Sequence, residues 1–259
     1  MKKIGIIGCG TIGTAVAEFI QKRLKARARI VALCDIDPKK AEYLAGKIRP
    51  RPAVTVIDSL IKRSDLVIEA AGMKVSGLVA KKAVLHKKDA LIMSTGGLLK
   101  NAGLIRKARA KGCNIYIPSG AICGLDGLNA ASIGRIKKVT LTTRKPIRGL
   151  KGAPYFKNRD IDKIKKETLV FSGNAEDAVR HFPKNINVAA TLSLSGIGPR
   201  RTKVRIITSP RYTRNTHEVE VEGEFGSIFA RTENVPSREN PKTSQLAIFS
   251  ALAKLKEIV

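Results

Sequence analysis

Residues 1–13 read MKKIGIIGCGTIG, and this stretch decides the fold. A short apolar run at residues 4–7 meets glycines at Gly8, Gly10 and Gly13. The segment beyond has helical periodicity, with Ile12, Val16, Phe19 and Ile20 on one face. The order is strand, tight turn, helix, the context in which a G-x-G-x-x-G string carries meaning. Gly8 permits the sharp turn, and Gly10 has no side chain to keep a pyrophosphate from the backbone. Gly13 lets the helix pack closely on the strand. Thr11 and Ile12 lie between them, at a helix start whose N–H groups and positive dipole end suit a diphosphate.

A second strand at residues 29–33 leads to Asp35, about 20 positions beyond the last glycine, where an acid grips an adenosine ribose 2′-hydroxyl. The plain alternative is a turn residue ahead of Asp37 and Pro38. String, flanking elements and acid together favour the ribose role. A carboxylate there prefers NAD to a 2′-phosphorylated cofactor by repulsion. Lys39 and Lys40 oppose that preference because either can pair with a phosphate, so NAD and NADP both stay open.

With 259 residues the chain has room for one large domain or two modest ones. It contains no Trp and no apolar run long enough to span a bilayer. The opening residues enter a strand directly, so neither a signal nor a transit peptide is expected. Cys9, Cys34, Cys113 and Cys123 lack C-x-x-C spacing. They read as reduced packing residues of a cytoplasmic protein, with no disulfide and no metal site. Lysine and arginine number 49 against 21 acids, a formal net charge of +28. Such a field attracts anions, whether dinucleotides, dicarboxylates or nucleic acid. The bases are dispersed, without a basic tail, zinc finger or aromatic-studded RNA-binding strand. A charged, soluble surface is therefore the expected reading, and nucleic acid is not an expected partner.

The first half alternates strand and helix. Strands are predicted at 53–57, 65–70, 90–93 and 114–117, and helices at 74–86 and 98–111. Regular alternation predicts an α/β, doubly wound parallel sheet, with ligands bound beyond the carboxyl ends of the strands. Small-residue clusters fall at such ends: Ala70-Ala71-Gly72, Ser94-Thr95-Gly96 and Ser119-Gly120-Ala121. Any one of them fits a tight turn. Together they favour a floor for ribose and nicotinamide. From about residue 121 the texture changes. A helix start near 124–131 precedes strands at 138–143, 169–172, 203–208, 217–224 and 227–232, which predicts a mostly antiparallel α+β second domain. In HEVEVE, His217, Val219 and Val221 point one way and Glu218, Glu220 and Glu222 the other. An amphipathic helix at 243–258 is expected to return to the nucleotide domain.

A dehydrogenase needs an acid/base group, and the chain has only three histidines. His86 and His181 look like helix-end residues. His217 opens a strand on the valine face, where it is either a proton-transfer group or a hydrogen-bonded core residue. In FPKNINVAA, Asn185 and Asn187 precede a helical run, and either can cap it or hold a carboxamide. Lys242 stands before the last helix, placed to hold a carboxylate or to cap.

The strings GCGTIG, PSGAICGLDGL, TTRKP, FPKNINVAA, NTHEVEVEGEFGSI and ENPKTSQLA together resemble the L-aspartate dehydrogenase family, over essentially the whole chain. The resemblance implies a Rossmann-type domain (residues 1–120, with helix 241–259 packing back on it). It also implies a substrate-binding and dimerisation domain at 121–240, in a homodimer. The implied reaction is oxidation of L-aspartate to iminoaspartate with NAD or NADP as hydride acceptor. Iminoaspartate then feeds de novo NAD synthesis or hydrolyses to oxaloacetate and ammonia. Ala121 of PSGA and Asn187 of NVAA match the family's cofactor contacts, and His217 of NTHEV matches its catalytic histidine. Lys242, Arg144 and Lys145 are candidates for the substrate carboxylates. Three positions depart from the family pattern: Gly97 where Ala is frequent, Cys123 in place of a small apolar residue, and Ile147 where a second proline is common. None removes a catalytic group. Two rival readings share only part of this pattern. A dihydrodipicolinate reductase or homoserine dehydrogenase type shares the nucleotide half but not the motifs of the second. A dinucleotide-sensing regulator that holds DNA lacks a reading head.

Overall fold

In the computed structural model, which describes residues 1–183, 187–240 and 243–259, the contacts divide the chain into two compact units. One is Met1–Pro118 with Ile248–Val259, and the other is Ser119–Ala247. The first is built on strand β1 (Lys2–Ile7), helix α1 (Thr11–Arg23) and strand β2 (Ala28–Cys34). Asp37 caps the next helix, α2 (Pro38–Lys47), by accepting the Lys39 N–H, and Pro38 sits in its first turn. There follow β3 (Ala53–Val54), α3 (Ile57–Arg63), β4 (Leu66–Glu69), α4 (Met73–Leu85), β5 (Asp89–Ile92), α5 (Gly103–Ala110) and β6 (Ile115–Tyr116).

These six strands form one parallel sheet in the order β3-β2-β1-β4-β5-β6. The chain reverses its direction of winding between β1 and β4, which opens a crevice at their carboxyl ends. Ile4 and Ile6 on β1, Leu66 and Ile68 on β4, and Leu91 on β5 are fully buried. This is the expected state of a sheet covered on both faces, and each such side chain contributes roughly 1.5–3 kcal/mol of burial. Helix α10 (Gln245–Ile258) lays Ala251 and Leu255 into the same core.

Two elements differ from the sequence reading. The strand expected over 53–57 pairs only at Ala53 and Val54, because Val56 is already the N-cap of α3. The helix expected over 98–111 is a 3-10 segment, Thr95–Asn101, followed by the shorter α5. At Gly97 a Cβ would stand 2.1 Å from Ser76 Oγ and 2.4 Å from the Met73 carbonyl. The first turn of α4 therefore crowds this segment and needs glycine there.

The second unit holds α6 (Leu125–Ala131), β7 (Ile136–Pro146), α7 (Ile147–Leu150), β8 (Thr168–Asn174), α8 (Ala175–His181), α9 (Asn187–Ser195), β9 (Thr202–Ser209), β10 (Asn215–Gly223) and β11 (Gly226–Asn234). Its sheet runs β11-β10-β7-β9-β8. The β7–β9 pair is parallel and the other pairs are antiparallel, so the sheet is mixed. One face carries Val139, Leu141, Val204, Ile206, Val219 and Val221, all buried. Among the described residues no helix is long and apolar enough to cross a membrane.

Two glycine substitutions test this packing. A Cβ at Gly13 would lie 1.9 Å from the Gly8 carbonyl oxygen, whereas at Gly46 it would meet nothing within 4 Å. Gly13→Ala is expected to lower unfolding free energy by about 2–3 kcal/mol. Gly46→Ala, an exposed helix position, is expected to raise it by about 0.5–1 kcal/mol. Urea denaturation reads both, and equal effects would contradict the close approach at Gly13.

Candidate active site

In the nucleotide unit the crevice is lined by backbone turns. Gly8, at φ +96°, is pinned against the neighbouring turn: a Cβ there would lie 2.5 Å from the Ala70 carbonyl carbon and oxygen and 2.6 Å from the Ala71 nitrogen. Gly10 is the N-cap of α1, which has neither a side-chain cap nor an acid in its first turn. A Cβ at Gly10 would meet open space. Two glycines are thus demanded by packing, while the middle one keeps backbone accessible beside half-buried Thr11 and Ile12. This cradle of N–H groups, at a helix start with no acid in its first turn, fits a dinucleotide diphosphate.

Asp35 does more than its spacing implies. Its Oδ2 accepts the Cys9 N–H at 2.6 Å and its Oδ1 accepts the Asp37 N–H at 2.9 Å. The carboxylate therefore ties the glycine turn to the end of β2. Each oxygen keeps a second acceptor site for a ribose hydroxyl. Burial, then the charge of Asp35, pushes the Cys9 thiol up to about 12 and raises Cys34 as well. Both stay protonated. All four cysteines are free, and Cys123 is exposed, unlike the packing residue expected from the sequence.

The sequence reading missed Glu69, the last residue of β4, which is 0% exposed. Its Oε1 accepts the N–H groups of Ala71 and Gly72, both at 2.8 Å, and its Oε2 accepts that of Ser94 at 3.0 Å. Burial raises its pKa, and these bonds oppose the rise. The Ser94 carbonyl accepts from Ser76 Oγ at 2.8 Å. Ser94 and Thr95 are buried, Ala70 is half-buried and Ala71 is exposed. No spacing rule marks a glutamate that ends an apolar strand.

In the second unit, strand register builds a polar row at the end of an apolar face. His217 on β10 pairs with Thr143 on β7 and with Thr232 on β11. Thr143 Oγ1 lies 3.0 Å from His217 Nδ1. Thr232 Oγ1 donates to the Ala121 carbonyl at 2.8 Å, as does Asn234 Nδ2 at 3.1 Å. Ala121 and His217 are thereby brought together. Lys145 follows Thr143 by two residues, on the same face, and is 8% exposed. Burial lowers its pKa to about 8. Burial first, and the Lys145 charge second, lower His217 from 6.5 to about 3. The imidazole, 4% exposed, is neutral at neutral pH and stands near an ammonium.

The remaining candidates fall elsewhere. Arg144 projects from the opposite face of β7, where its Nη1 donates to Glu218 Oε2 at 2.5 Å, so it does not share the His217 face. Asn187 is the first residue of α9. Lys242 and Asn185 lie outside the described residues. His86 caps the C-terminus of α4, and His181 ends α8, packed on Tyr155.

A parallel sheet of this order carrying such a glycine turn belongs to the NAD(P)-binding oxidoreductases. Residues 8–118 match the family described as "Homoserine dehydrogenase, NAD binding domain", and residues 126–258 match "Aspartate dehydrogenase, C-terminal". The chain is 46% identical to the L-aspartate dehydrogenase of Methanosarcina barkeri, over 100% of this chain and 97% of that relative. It is 41% identical to that of Bradyrhizobium diazoefficiens, over 98% and 91%. The crystal structure of aspartate dehydrogenase from Thermotoga maritima aligns with a TM-score of 0.77 at 24% identity, covering 100% of this chain and 97% of that one. A homoserine dehydrogenase from Thiobacillus denitrificans aligns at 0.64 and 15% identity, covering 99% and 73%. These two structural likenesses establish fold alone. The chain belongs to the L-aspartate dehydrogenase family.

The environment of His217 has a consequence for stability. Its folded pKa lies below the ordinary 6.5, so between about pH 3 and 6.5 the unfolded chain binds the extra proton. Stability from this group is present above pH 6.5 and lost as pH falls through that window. Urea titrations at stepped pH are expected to show a shallower acid-side loss in His217→Gln. Equal slopes would contradict burial of a neutral imidazole.

Proposed function

We propose that this protein oxidises L-aspartate to iminoaspartate, with NAD or NADP as the hydride acceptor. One observation carries the reading: a buried neutral imidazole and a lysine ammonium share one end of an otherwise apolar sheet face. Bound NAD(P)+ supplies the hydride-accepting ring. In this reading Gly8, Gly10, Thr11, Ile12 and Gly13 hold the diphosphate, and Asp35 holds the ribose. Ala70, Ala71, Ser94 and Thr95 form the floor, with Ala121 and Asn187 assigned to the nicotinamide.

The chemistry of the substrate dictates the rest. An α-ammonium has no lone pair, so it must lose a proton before the Cα hydride can leave. His217 is assigned that proton. With its Nδ1–H donated to Thr143 Oγ1, Nε2 is left as the acceptor. Lys145 is assigned a substrate carboxylate. Burial is the first cause of the low imidazole pKa and the Lys145 charge the second; pairing Lys145 with an anion neutralises that second cause and makes His217 more basic. The lone pair freed on nitrogen then forms the C=N bond as hydride departs from Cα. Water adds to that bond to release oxaloacetate and ammonia unless the imine is captured first, and its capture for NAD biosynthesis is the metabolic role we assign.

We assign the second unit to substrate binding and to a homodimer. On the face opposite His217, the hydroxyls of Thr140 and Thr142 are buried without a hydrogen-bond partner. They lie between an acidic stripe, Glu218 and Glu220, and a basic one, Lys203 and Arg205, in direct register. Exposed Phe229 and Leu169 flank them. A second copy related by a two-fold axis can lay acid over base. Four free thiols support a reducing compartment, the cytoplasm.

Two experiments test these readings. With purified protein, reduced-cofactor absorbance is expected with L-aspartate and not with other amino acids. His217→Ala is expected to cut kcat on the order of 10²–10⁴-fold while cofactor affinity is unchanged. Near-normal turnover in that variant would sink the acid/base assignment. Phe229→Arg is expected to shift sedimentation from dimer to monomer, and a monomeric unaltered protein would refute the interface.

A further inference from the structure

Besides the glycine turn and Asp35, a fully buried carboxylate shapes the carboxyl edge of the nucleotide sheet. We propose that Glu69 is a positioning residue for the dinucleotide, a buried carboxylate that locks two successive turns into one cofactor floor. Those turns are the Ala70-Ala71-Gly72 turn after β4 and the Ser94-Thr95 turn after β5. This rests on the reading of that edge as the cofactor site.

The hydrogen bonds converge from separate loops. Ala71 and Gly72 donate their N–H groups to one carboxylate oxygen, and Ser94 donates its N–H to the other. The Ser94 hydroxyl also lowers the pKa of the carboxylate. Ser94 is then fixed from its other end, because its carbonyl accepts from the buried Ser76 hydroxyl. The first of these turns abuts the glycine turn, since Gly8 leaves no room for a Cβ against Ala70 and Ala71. Asp35 holds Cys9 from the far side. Two carboxylates, Asp35 and Glu69, therefore stitch together the turns that follow β1, β2, β4 and β5.

A stability role alone does not call for a carboxylate here. A buried anion costs desolvation that well-packed apolar side chains avoid, so its distinctive gift is geometric: two acceptor oxygens at a fixed spacing. Glutamine keeps the shape and one acceptor oxygen. Its NH2 must then face either the Ser94 N–H or the pair from Ala71 and Gly72, donor against donor. The two turns separate, and the small residues they present no longer lie at one height. Positioning of this kind is sensitive to shifts of about 0.5 Å.

The test is titration of the purified, folded protein with NAD+, followed by calorimetry, alongside Glu69→Gln, Ser94→Ala and Gly10→Val. Glu69→Gln is expected to raise the Kd for NAD+ about 10- to 100-fold, the range implied by one unsatisfied buried donor. Ser94→Ala, which removes the polar hydroxyl that stabilises the carboxylate and keeps the backbone N–H, is expected to raise it about 2- to 5-fold. In kinetics the KM for NAD+ is expected to rise while the KM for L-aspartate at saturating cofactor stays put, a split that general loosening of the fold would not give. A folded Glu69→Gln protein that binds NAD+ within twofold of the unaltered one overturns the proposal. Should that variant fail to fold, an unchanged Kd in Ser94→Ala overturns it instead. Gly10→Val separates the two levels. Loss of binding there beside a normal Glu69→Gln sinks Glu69 alone, whereas normal binding in Gly10→Val sinks the cofactor-floor reading itself.

Discussion

The approach of α1 to the end of β1 sets the terms for the whole nucleotide unit. Gly13 lies so near the Gly8 carbonyl, and Gly8 so near the Ala70–Ala71 turn, that side chains are excluded at both positions. The helix start is thereby driven down onto the strand and its N–H groups are held beside an open Gly10. Close-packed backbone cannot deform gradually. The same crowding places β4 next to β1 and puts the Asp35 and Glu69 carboxylates within reach of the turns they bind.

The second unit solves a different problem, which is to keep two ionisable groups inside an apolar face. Val139, Leu141, Val219 and Val221 continue the stripe that ends in Thr143, His217 and Lys145. The histidine meets this by shedding its proton and bonding to a threonine. The lysine meets it with a pKa drawn down to about 8, close enough to neutrality for an anion to restore full protonation on binding. In the proposed reaction a carboxylate of the substrate is that anion. The net charge of +28 provides a long-range field of the same sense.

Much of this was legible in the sequence, and the parts that were not share a cause. The three glycines, the following acid and the alternation of HEVEVE are local patterns, and local patterns survive without coordinates. Strand phase was equally local: Arg144 and Lys145 are adjacent on β7, so only one of them can share a face with His217, and register shows it to be Lys145. The 3-10 segment at Thr95–Asn101 was hidden because the crowding at Gly97 comes from α4, a tertiary neighbour. Glu69 was hidden for the same reason, since its partners lie in two different loops and its own neighbours in the chain are ordinary strand residues.

Transfer of hydrogen from Cα of the substrate to the nicotinamide is the central claim, and isotopic labelling reads it directly. The protein is incubated with L-aspartate deuterated at Cα and the oxidised cofactor, and the reduced cofactor is weighed by mass spectrometry. Deuterium in the reduced cofactor is the expected result. Reduced cofactor without deuterium, or none formed at all, would contradict the account.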